Sequence, residues 1–544
     1  MINHIVTKNL KTFVVVFLPF LLFLFHMFFF KEWVIDDAGI SFAYAKNAAS
    51  GYGLIAQKGD IPVEGYSNFL WVILLIPCFW LKLFHPIITP KVISCILILL
   101  SYIGIFKTIR LIALHKYKLT FFILSFISIN TSFVIWTSSG LENPLYVLLL
   151  ISFFYISTNI SLMNRCIVIK VIFLAILCAM LAMTRPDGIA YSIIFPLLIA
   201  INRFYSNGTN GISVKSHLKL LGIYFGVLSL TYGSFLLFRL YYYGDIVPNT
   251  YYMKGGPDLN ELLDLAFLFI PDPIKFYALM RSLFSYLANI ILVIMMAYSG
   301  KLFFKKRLPM QYIICLLILI MSLVIYILLP RDWMEEFRFA TPFIVFMYLY
   351  FFLIGELFIS SVKMRLFTKK IIALCIILLF LISVGRFYRR SSIFADSPPT
   401  SFTTVAQNAF RFKQYADYLG IDAPSIMLPD AGGFLYYSYL KFIDLGGLCD
   451  KTIAQSLGAK ARPKNYHQFY NYIFEMQKPT FIQVWTSWSY LAALDNDERF
   501  RQQYLPIQES KDIWNAIEVY SGIYVRKDAI KDMDQLYTLR TKRF

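Results

Sequence analysis

The sequence is poor in charged residues, histidine and cysteine, and each shortage argues against a class of protein. Charged residues make up 15% of the 544 residues, and the six histidines show no H-E-x-x-H spacing of a zinc enzyme. Six of the seven cysteines fall within apolar segments and none forms a C-x-x-C pair, so neither a disulfide framework nor a cysteine metal site is predicted. The formal net charge is +19, but the basic residues lie between apolar runs rather than on a soluble face, which argues against a nucleic-acid partner.

Long apolar runs are what the sequence has in abundance. Hydrophobic residues account for 58% of the chain and aromatic residues for 18%, which predicts a polytopic α-helical membrane protein. We expect the first run to be a retained helix, because no small-residue cleavage pattern follows it. Eleven segments are candidate transmembrane helices, several of them short against the ~20 residues that a span needs: 12–30, 88–106, 119–136, 144–160, 166–183, 188–202, 219–240, 283–299, 311–329, 339–360 and 371–384.

Acidic and basic residues separate between the two sides of the predicted membrane. Six segments contain lysine or arginine but no acid: 1–11, 107–118, 161–170, 203–218, 301–310 and 361–370. The positive-inside rule places these segments and the N-terminus in the cytoplasm. The separation requires that the apolar run 69–84 is an interfacial or re-entrant helix rather than a span. Nearly all remaining acids and the C-terminus then lie outside the cytoplasm.

The chain is predicted to contain two domains. Residues 1–384 form the transmembrane domain, with a first outer loop at 31–87, and residues 385–544 form a soluble extracytoplasmic domain of ordinary size. After Gly385 the composition becomes polar, and no later run could cross a bilayer.

The predicted soluble domain has the pattern of a small α/β module. Short apolar runs that begin at Ser425 and Thr480 indicate strands, and helix-like stretches such as 405–419 separate them. Three aspartates of this domain lie near Gly-Gly pairs, and we interpret them as turn residues: Asp430, Asp444 and Asp450.

Five polar clusters fall on the predicted outer side, each at or just beyond a helix end. They are WVIDD with EGYSN, WTSSGLEN, TRPDG, YYYGDIVPNTYYMKGG and RDWMEEFRF. An ionisable group at bilayer depth costs ~2.5–3.5 kcal/mol, so such clusters are candidates for a functional site.

The acidic members of these clusters have two possible roles. Asp36 and Asp37 suit the N-cap of a helix that starts near Ile40, but two adjacent carboxylates beside an apolar run favour a general base or a metal ligand. Glu142 precedes Pro144, which is typical of a helix start, and it is equally a candidate for catalysis.

The basic and aromatic members also leave alternatives open. Arg185 and Asp187 form either a local ion pair or, through the guanidinium fork of Arg185, part of a phosphate site. Aromatic, amide and charged residues of the last two clusters have the composition of a sugar or headgroup site, although aromatic residues also form the ordinary interfacial belt: Asn249, Tyr251, Tyr252, Lys254, Asp332, Trp333, Glu335 and Arg338.

The order of these motifs resembles a known class. The blocks DDAxISFxYAxNxxxGxGL, VEGYSNFLW, SGLEN, RPDG, YYG with PNTYYxK, and DWM with RF are similar to those of GT-C integral-membrane glycosyltransferases. The pattern is most similar to the bacterial group that includes the mycobacterial terminal arabinofuranosyltransferase. The likeness covers about residues 33–340 and extends toward LPDAGGFLYYSYLKFIDLGGLCD, while Gly39 and Ala43 stand where larger residues are expected in relatives.

The resemblance implies an enzyme of the bacterial inner membrane that transfers a sugar, with inversion, from a polyprenyl-phosphate-linked donor. The acceptor would be an envelope glycan such as lipopolysaccharide, a lipid or a protein, on the extracytoplasmic face. It implies Asp36 or Asp37 as the base, with Glu142 as a further catalytic candidate. A divalent metal, Mg²⁺ or Mn²⁺, is possible, since hard cations take oxygen ligands.

The binding residues follow from the same blocks. Arg185, Arg338 and Lys254 are predicted to bind the donor phosphate. The remaining polar residues are predicted to bind substrate: Glu64, Tyr66, Asn68, Asp187, Asn249, Tyr252, Asp332 and Trp333. The rival functions are an O-antigen ligase or polymerase and a lipid-linked substrate transporter or flippase. A transporter should show charges near mid-bilayer in related halves, and the sequence shows no repeat.

Overall fold

The computed structural model describes residues 2–541 apart from 114–115, 164–165, 206–213, 256–277, 282–285, 331–332, 362–365 and 532. In this part of the chain, nine helices are long and apolar enough to cross a membrane. A tenth span results if helices Tyr117–Ile129 and Thr131–Ser138, which meet at 70°, act as one. The chain is thus a multi-pass membrane protein. Ten predicted spans are confirmed as apolar helices, and the eleventh, 283–299, falls partly outside the described residues.

Two predicted segments have different lengths in the structure. The apolar run 69–84 forms the helix Phe69–Trp80. Its 12 residues extend about 18 Å at 1.5 Å per residue, against the ~30 Å of a hydrocarbon core. This length agrees with an interfacial or re-entrant helix. The run 371–384 belongs to a longer helix, Leu366–Asp396, which continues past the predicted end of the membrane segment.

The described chain divides into two compact units that do not follow the linear order of the sequence. The first unit contains Met1–Glu32, Pro90–Phe235 and Pro257–Pro399, and the second contains Trp33–Thr89, Leu236–Gly256 and Thr400–Phe544. The first outer loop therefore belongs to the same unit as the C-terminal α/β region.

The first unit is helical. Its helices, two of which run on into the second unit, are Ile2–Met27, Ile88–Ile112, Tyr117–Ile129, Thr131–Ser138, Asn143–Leu162, Ile167–Thr184, Ile194–Tyr205, Val214–Tyr243, Tyr286–Phe304, Met310–Leu328, Thr341–Ser361 and Leu366–Asp396, with 3₁₀ turns at Phe28–Phe30, Pro186–Ile193 and Arg338–Ala340. The helix Thr341–Ser361 is buried on all faces along residues 341–355, as its continuously apolar sequence requires. It packs against Tyr117–Ile129 and Met310–Leu328.

The second unit contains a five-stranded mixed sheet. Its strands are β1 Ser425–Leu428, β2 Lys441–Asp444, β3 Phe481–Val484, β4 Tyr504–Trp514 and β5 Ile517–Arg526, in the order β2-β1-β3-β5-β4. Strand β1 pairs in parallel with β2 and β3, whereas β5 runs antiparallel to β3 and β4. The predicted strands at Ser425 and Thr480 and the predicted helix, found at Phe402–Leu419, are confirmed.

Helices cover both faces of this sheet. One row across the strands, Ile443, Met427, Ile482 and Tyr524, faces one buried cluster. Because side chains alternate along a strand, Phe481 points to the other face, where its ring lies 5.4 Å from that of Phe412 in the helix Phe402–Leu419. The other helices of the unit are Asp36–Ala49, Phe69–Trp80, Asn249–Lys254, Gly432–Tyr437, Lys451–Leu457, Tyr466–Asn471, Thr486–Ala492, Glu498–Gln503 and Met533–Thr541, with short turns at Tyr472–Gln477, Leu494–Asn496 and Lys527–Ala529.

Candidate active site

The two adjacent aspartates begin a helix in the second unit. The helix Asp36–Ala49 starts at Asp36, and its N-cap residue, Ile35, makes no side-chain cap. The predicted start near Ile40 is therefore wrong, and neither aspartate occupies the cap position. Instead, the C-terminal region fixes the start of the helix, because the Asp36 N–H donates to the Thr400 carbonyl at 3.1 Å.

The Asp36 carboxylate is fully engaged by backbone N–H groups. Oδ2 accepts from Gly432 and Oδ1 from Gly433, each at 2.9 Å, and the residue is only 3% exposed. This geometry requires glycine, because a Cβ on Gly432 would lie 1.9 Å from the Asp36 carbonyl oxygen. A Cβ on Gly39 would lie 2.6 Å from the Gly432 carbonyl carbon. Gly39 thus permits close packing of the helices Asp36–Ala49 and Gly432–Tyr437.

Asp37 is the more accessible carboxylate of the pair. Its side chain is 21% exposed, and Oδ2 lies 3.3 Å from Nζ of Lys254. Lys254, predicted to bind a phosphate, thus contacts a candidate base in the second unit. With both oxygens of Asp36 occupied, Asp37 is the one of the two that can accept a proton from a ligand without breaking a backbone contact.

Strand topology brings further carboxylates to this place. Asp430 follows β1 and Asp444 ends β2, and the carboxyl ends of neighbouring parallel strands meet at one edge of a sheet. Burial and the nearby charge of Asp37 raise the pKa of Asp430 to about 6. Burial and the charge of Asp430 raise the pKa of Asp36 well above its ordinary value, although the two backbone donors oppose the shift.

Asp444 and Asp450, which we interpreted as turn residues, also bind local backbone. Oδ2 of Asp444 accepts from the Cys449 N–H at 2.7 Å, and burial raises the pKa of Asp444 to about 7. Oδ1 of Asp450 caps the helix Lys451–Leu457 by accepting from the Ile453 N–H at 3.0 Å. Asp450 and Asp444 thus have the structural role that the sequence favoured.

Other predicted substrate residues of the second unit bind its own chain. Glu64 is 2% exposed, and its Oε2 lies 2.7 Å from Nε of Arg239. Asn249 donates from Nδ2 to the carbonyls of Gly447 and Leu448 at 2.8 and 2.9 Å. The described contacts therefore favour a structural role for Glu64 and Asn249.

The polar residues near them pair in the same way. The Tyr66 and Tyr243 hydroxyls lie 2.9 Å apart, and Ser41 donates to Oδ1 of Asn68 at 3.1 Å. The Tyr252 hydroxyl donates to Asp245 at 2.8 Å. These contacts tie the first outer loop and the segment at 236–255 into one body.

A second charged cluster lies within the first unit. Glu142 precedes the helix Asn143–Leu162, and its Oε1 lies 3.7 Å from Arg185 and 3.6 Å from Arg338. All three side chains are 10% exposed or less. Both guanidinium groups also face the Phe339 ring, at 4.6 Å for Arg185 and 5.3 Å for Arg338. The structure therefore brings two predicted phosphate-binding arginines together around one carboxylate.

The neighbours of this cluster complete its charge balance. Oδ1 of Asp187 lies 3.1 Å from Nε of Arg185, and the Tyr146 hydroxyl donates to Oδ2 at 3.3 Å. The predicted local ion pair at TRPDG is thus present, alongside the contact of Arg185 with Glu142. Trp333 is 56% exposed, and Asp332 lies outside the described residues.

A strained turn carries Arg338. Glu336 and Phe337 both have left-handed backbone, with φ of 61° and 55°, which costs of order 1–3 kcal/mol per residue. Trp136 Nε1 donates to the Glu336 carbonyl and Ser132 donates to its carboxylate, both at 2.8 Å, and Arg390 forms an ion pair with the same carboxylate. These contacts hold the turn in the conformation that presents Arg338 to Glu142.

Three residues that contribute to these sites are not predicted as site residues by the sequence. Arg239 stands in an apolar run, FLLFRLYYY, where a lone arginine indicates a buried partner. Asp430 was interpreted as a turn residue, although it follows a predicted strand in a block that shares the resemblance. Glu336 lies in the RDWMEEFRF cluster, but no local pattern indicates the left-handed turn.

The sequence matches no protein-family model, and it has no significant match among curated proteins. The fold is similar to that of the oligosaccharyltransferase AglB from Archaeoglobus fulgidus, solved with an inhibitory peptide and a dolichol-phosphate. The TM-score is 0.56 at 11% identity, over 95% of this chain and 74% of that chain. The structure of the same organism's oligosaccharyltransferase with Zn and sulfate gives 0.55 at 12%, over 93% and 73%. These neighbours have the GT-C fold, and the predicted fold class is confirmed.

Proposed function

We propose that the chain is a membrane glycosyltransferase that transfers a sugar from a polyprenyl-phosphate-linked donor to an envelope glycan, lipid or protein. The observation that carries the proposal is the pair Asp36 and Asp37, in which the first carboxylate is held by Gly432 and Gly433 and the second is partly exposed beside Lys254. A fold similar to that of a protein solved with dolichol-phosphate supports a lipid-linked donor.

We assign Asp37 as the general base. It takes the proton of an acceptor hydroxyl while the hydroxyl oxygen bonds to the anomeric carbon of the donor sugar. The bond from that carbon to the phosphate oxygen breaks, and its electron pair leaves with the lipid phosphate. This single displacement inverts the anomeric carbon. Lys254, at 3.3 Å, orients the Asp37 carboxylate, and Asp36 is a positioning residue.

Arg185 and Arg338 of the first unit are proposed to bind a phosphate group. Arg185 and Arg338 present guanidinium groups on either side of Glu142, and a guanidinium fork matches phosphate oxygens. Glu142 and Asp187 balance the two positive charges in the absence of a lipid. Glu142 therefore acts as a positioning residue for the arginines.

A divalent metal does not fit the described residues as they are arranged. Both oxygens of Asp36 accept N–H groups, Asp37 pairs with Lys254, and no group of three or more His, Cys, Asp or Glu in the described part of the chain is placed to hold an ion. No step of the proposed reaction uses a metal.

The location follows from the charge pattern. We propose that the N-terminus is cytoplasmic and that residues 385–544 form a domain outside the cytoplasmic membrane of a bacterium. Nucleotide sugars are held in the cytoplasm, so a transferase that faces outward needs a donor carried by a lipid. The resemblance of the motifs to those of the arabinofuranosyltransferase group agrees with this proposed arrangement.

The test compares envelope glycans and polyprenyl-phosphate sugars by mass spectrometry in cells with the wild-type protein, with none, and with Asp37→Asn. We expect the null and the variant to lose the same sugar and to accumulate the same lipid donor. In membranes the variant should lose at least about 100-fold in transfer rate, the usual contribution of a general base. Asp417→Asn, at an aspartate whose side chain is 61% exposed, is the matched control. Full activity of Asp37→Asn at wild-type expression would remove the base assignment.

A further inference from the structure

A groove of about 610 Å³ lies within the second unit, at the carboxyl ends of strands β1 and β3. Asp430 follows β1 and Trp485 follows β3, and these two parallel strands are neighbours, so both residues reach the groove from the carboxyl ends of their strands. Ligands of α/β sheets bind outside such strand ends. The position and size of the groove are those of a binding site.

The groove also lies next to the start of the helix that carries the proposed base. Thr400, which lines it, accepts the backbone N–H of Asp36. Asp430, which also lines it, is close enough to Asp37 for the charge of Asp37 to raise the pKa of Asp430. A ligand in the groove would therefore lie near the start of the helix Asp36–Ala49, which carries the residue that we assign as the base.

Four of the side chains that line the groove are amides, and two of these bond to each other. Nδ2 of Asn408 donates to Oε1 of Gln483 at 2.9 Å, and Arg411 donates to Oδ1 of Asn408. Gln407 and Gln414 line the same groove. An amide carries a donor and an acceptor at one end, as a hydroxyl does, so a row of amides suits a ligand rich in hydroxyl groups.

Aromatic rings supply the apolar face that a sugar ring needs. Trp485 lines the groove, and so does Phe410, which is 50% exposed. The ring of Phe410 lies 6.2 Å from that of Tyr439, which stacks on Tyr437 at 5.5 Å. Of these rings, those of Trp485 and Phe410 line the groove, and the C–H face of a pyranose or furanose packs on such aromatic faces.

We propose that this groove binds the acceptor of the reaction and that the acceptor is an uncharged saccharide. The inference rests on the proposed function and narrows its acceptor from a glycan, lipid or protein to a glycan. Trp485 stacks on a sugar ring, Asn408 and Gln483 bind its hydroxyl groups, and the terminal hydroxyl extends toward Asp37.

Two other ligand classes fit less well. A phosphorylated headgroup or an acidic polymer would need several cations, whereas the charged residues that line the groove are one of each sign, Arg411 and Asp430. An extended peptide binds along the exposed edge of a sheet. The groove instead lies at the strand ends, near β1 and β3, which both have neighbours on either side.

The experiment measures binding to full-length protein in lipid nanodiscs. The probes are the saccharide fraction and the peptide fraction released from the envelope of the organism that encodes the chain, each fluorescently labelled. The variants are Trp485→Ala and the double variant Asn408→Ala/Gln483→Ala. Trp514→Ala, at a tryptophan 39% exposed near the turn between β4 and β5, is the matched control.

We expect the wild type to bind the saccharide fraction, Trp514→Ala to bind it equally well, and both groove variants to bind it about tenfold more weakly. The double variant decides the matter if Trp485→Ala does not fold. Asp37→Asn should bind like the wild type and transfer nothing, so failure of the base assignment is seen separately from failure of the groove. Preference for the peptide fraction, no saccharide binding by the wild type, or unchanged binding in both folded groove variants would overturn the proposal.

Discussion

Replacement of Gly432 by alanine should separate two helices of the second unit. The new Cβ would lie 1.9 Å from the Asp36 carbonyl oxygen, and ordinary contact begins at 3.4 Å. The helix must therefore retreat by about 1.5 Å, and no rotamer change relieves a clash with backbone. A retreat of that size takes the 2.9 Å hydrogen bonds from Gly432 and Gly433 to Asp36 beyond hydrogen-bonding distance.

The cost can be estimated from those two bonds. A buried donor that loses its partner costs about 1–3 kcal/mol, so we expect Gly432→Ala to lower the free energy of unfolding by about 2–6 kcal/mol. For a unit of this size that corresponds to a fall in Tm of at least about 4 °C. Gly39→Ala should cost less, because its Cβ would lie 2.6 Å from the nearest backbone atom.

The assay is thermal unfolding of the full chain in detergent, followed by tryptophan fluorescence. Gly226→Ala is the matched control, because nothing lies within 4 Å of its Cβ in the helix Val214–Tyr243. Alanine should be neutral or stabilising there by up to about 1 kcal/mol. A Gly432→Ala protein with the wild-type Tm would refute the argument that close backbone contact fixes the Asp36 carboxylate.

Two further predictions concern buried charges of the second unit. Arg239→Met should destabilise the protein by about 3–5 kcal/mol because it leaves Glu64 unpaired. The double variant Glu64→Met/Arg239→Met should recover most of this stability. Equal unfolding midpoints in urea for the single and double variants would contradict this prediction. The pKa of Asp444 is raised to about 7, so the folded protein binds a proton at Asp444 more tightly than the unfolded chain does. This proton contributes fully to the free energy of unfolding below pH ~4, and the contribution is lost as the pH rises through about 7. The Tm of the wild type should therefore fall relative to that of Asp444→Asn between pH 5 and 8, and parallel curves would show that Asp444 does not titrate in this range.

Local sequence predicted the elements of the fold better than their partners. The strands at Ser425 and Thr480 and the helix before them are bounded by proline, glycine and aspartate, and their apolar patterns are unambiguous. The apolar helices were predictable for the same reason. The grouping of the first outer loop with the C-terminal region was not, because it depends on contacts between distant segments.

For the candidate site too, the sequence predicts individual residues better than their contacts. The types and places of Asp36, Asp37 and Glu142 marked them as candidates, but the different settings of the two aspartates depend on Gly432 and Gly433. The position of Arg239 in an apolar run indicates that it has a buried acidic partner, but the sequence does not show that this partner is Glu64. The sequence does not predict the left-handed turn at Glu336 and Phe337, because the side chains of both residues disfavour a left-handed backbone.

The bond between Asp36 and Gly432 joins residues 396 positions apart, and this separation has a consequence for synthesis. A ribosome adds about 5–20 residues per second, so it reaches Gly432 about 20–80 s after it has added Asp36. During that time the first outer loop is already made, but the backbone groups that hold Asp36 do not yet exist. A chain that ends before Gly432 would lack the two backbone N–H groups that bind the Asp36 carboxylate. Only a chain that extends past Gly433 can assemble this part of the site.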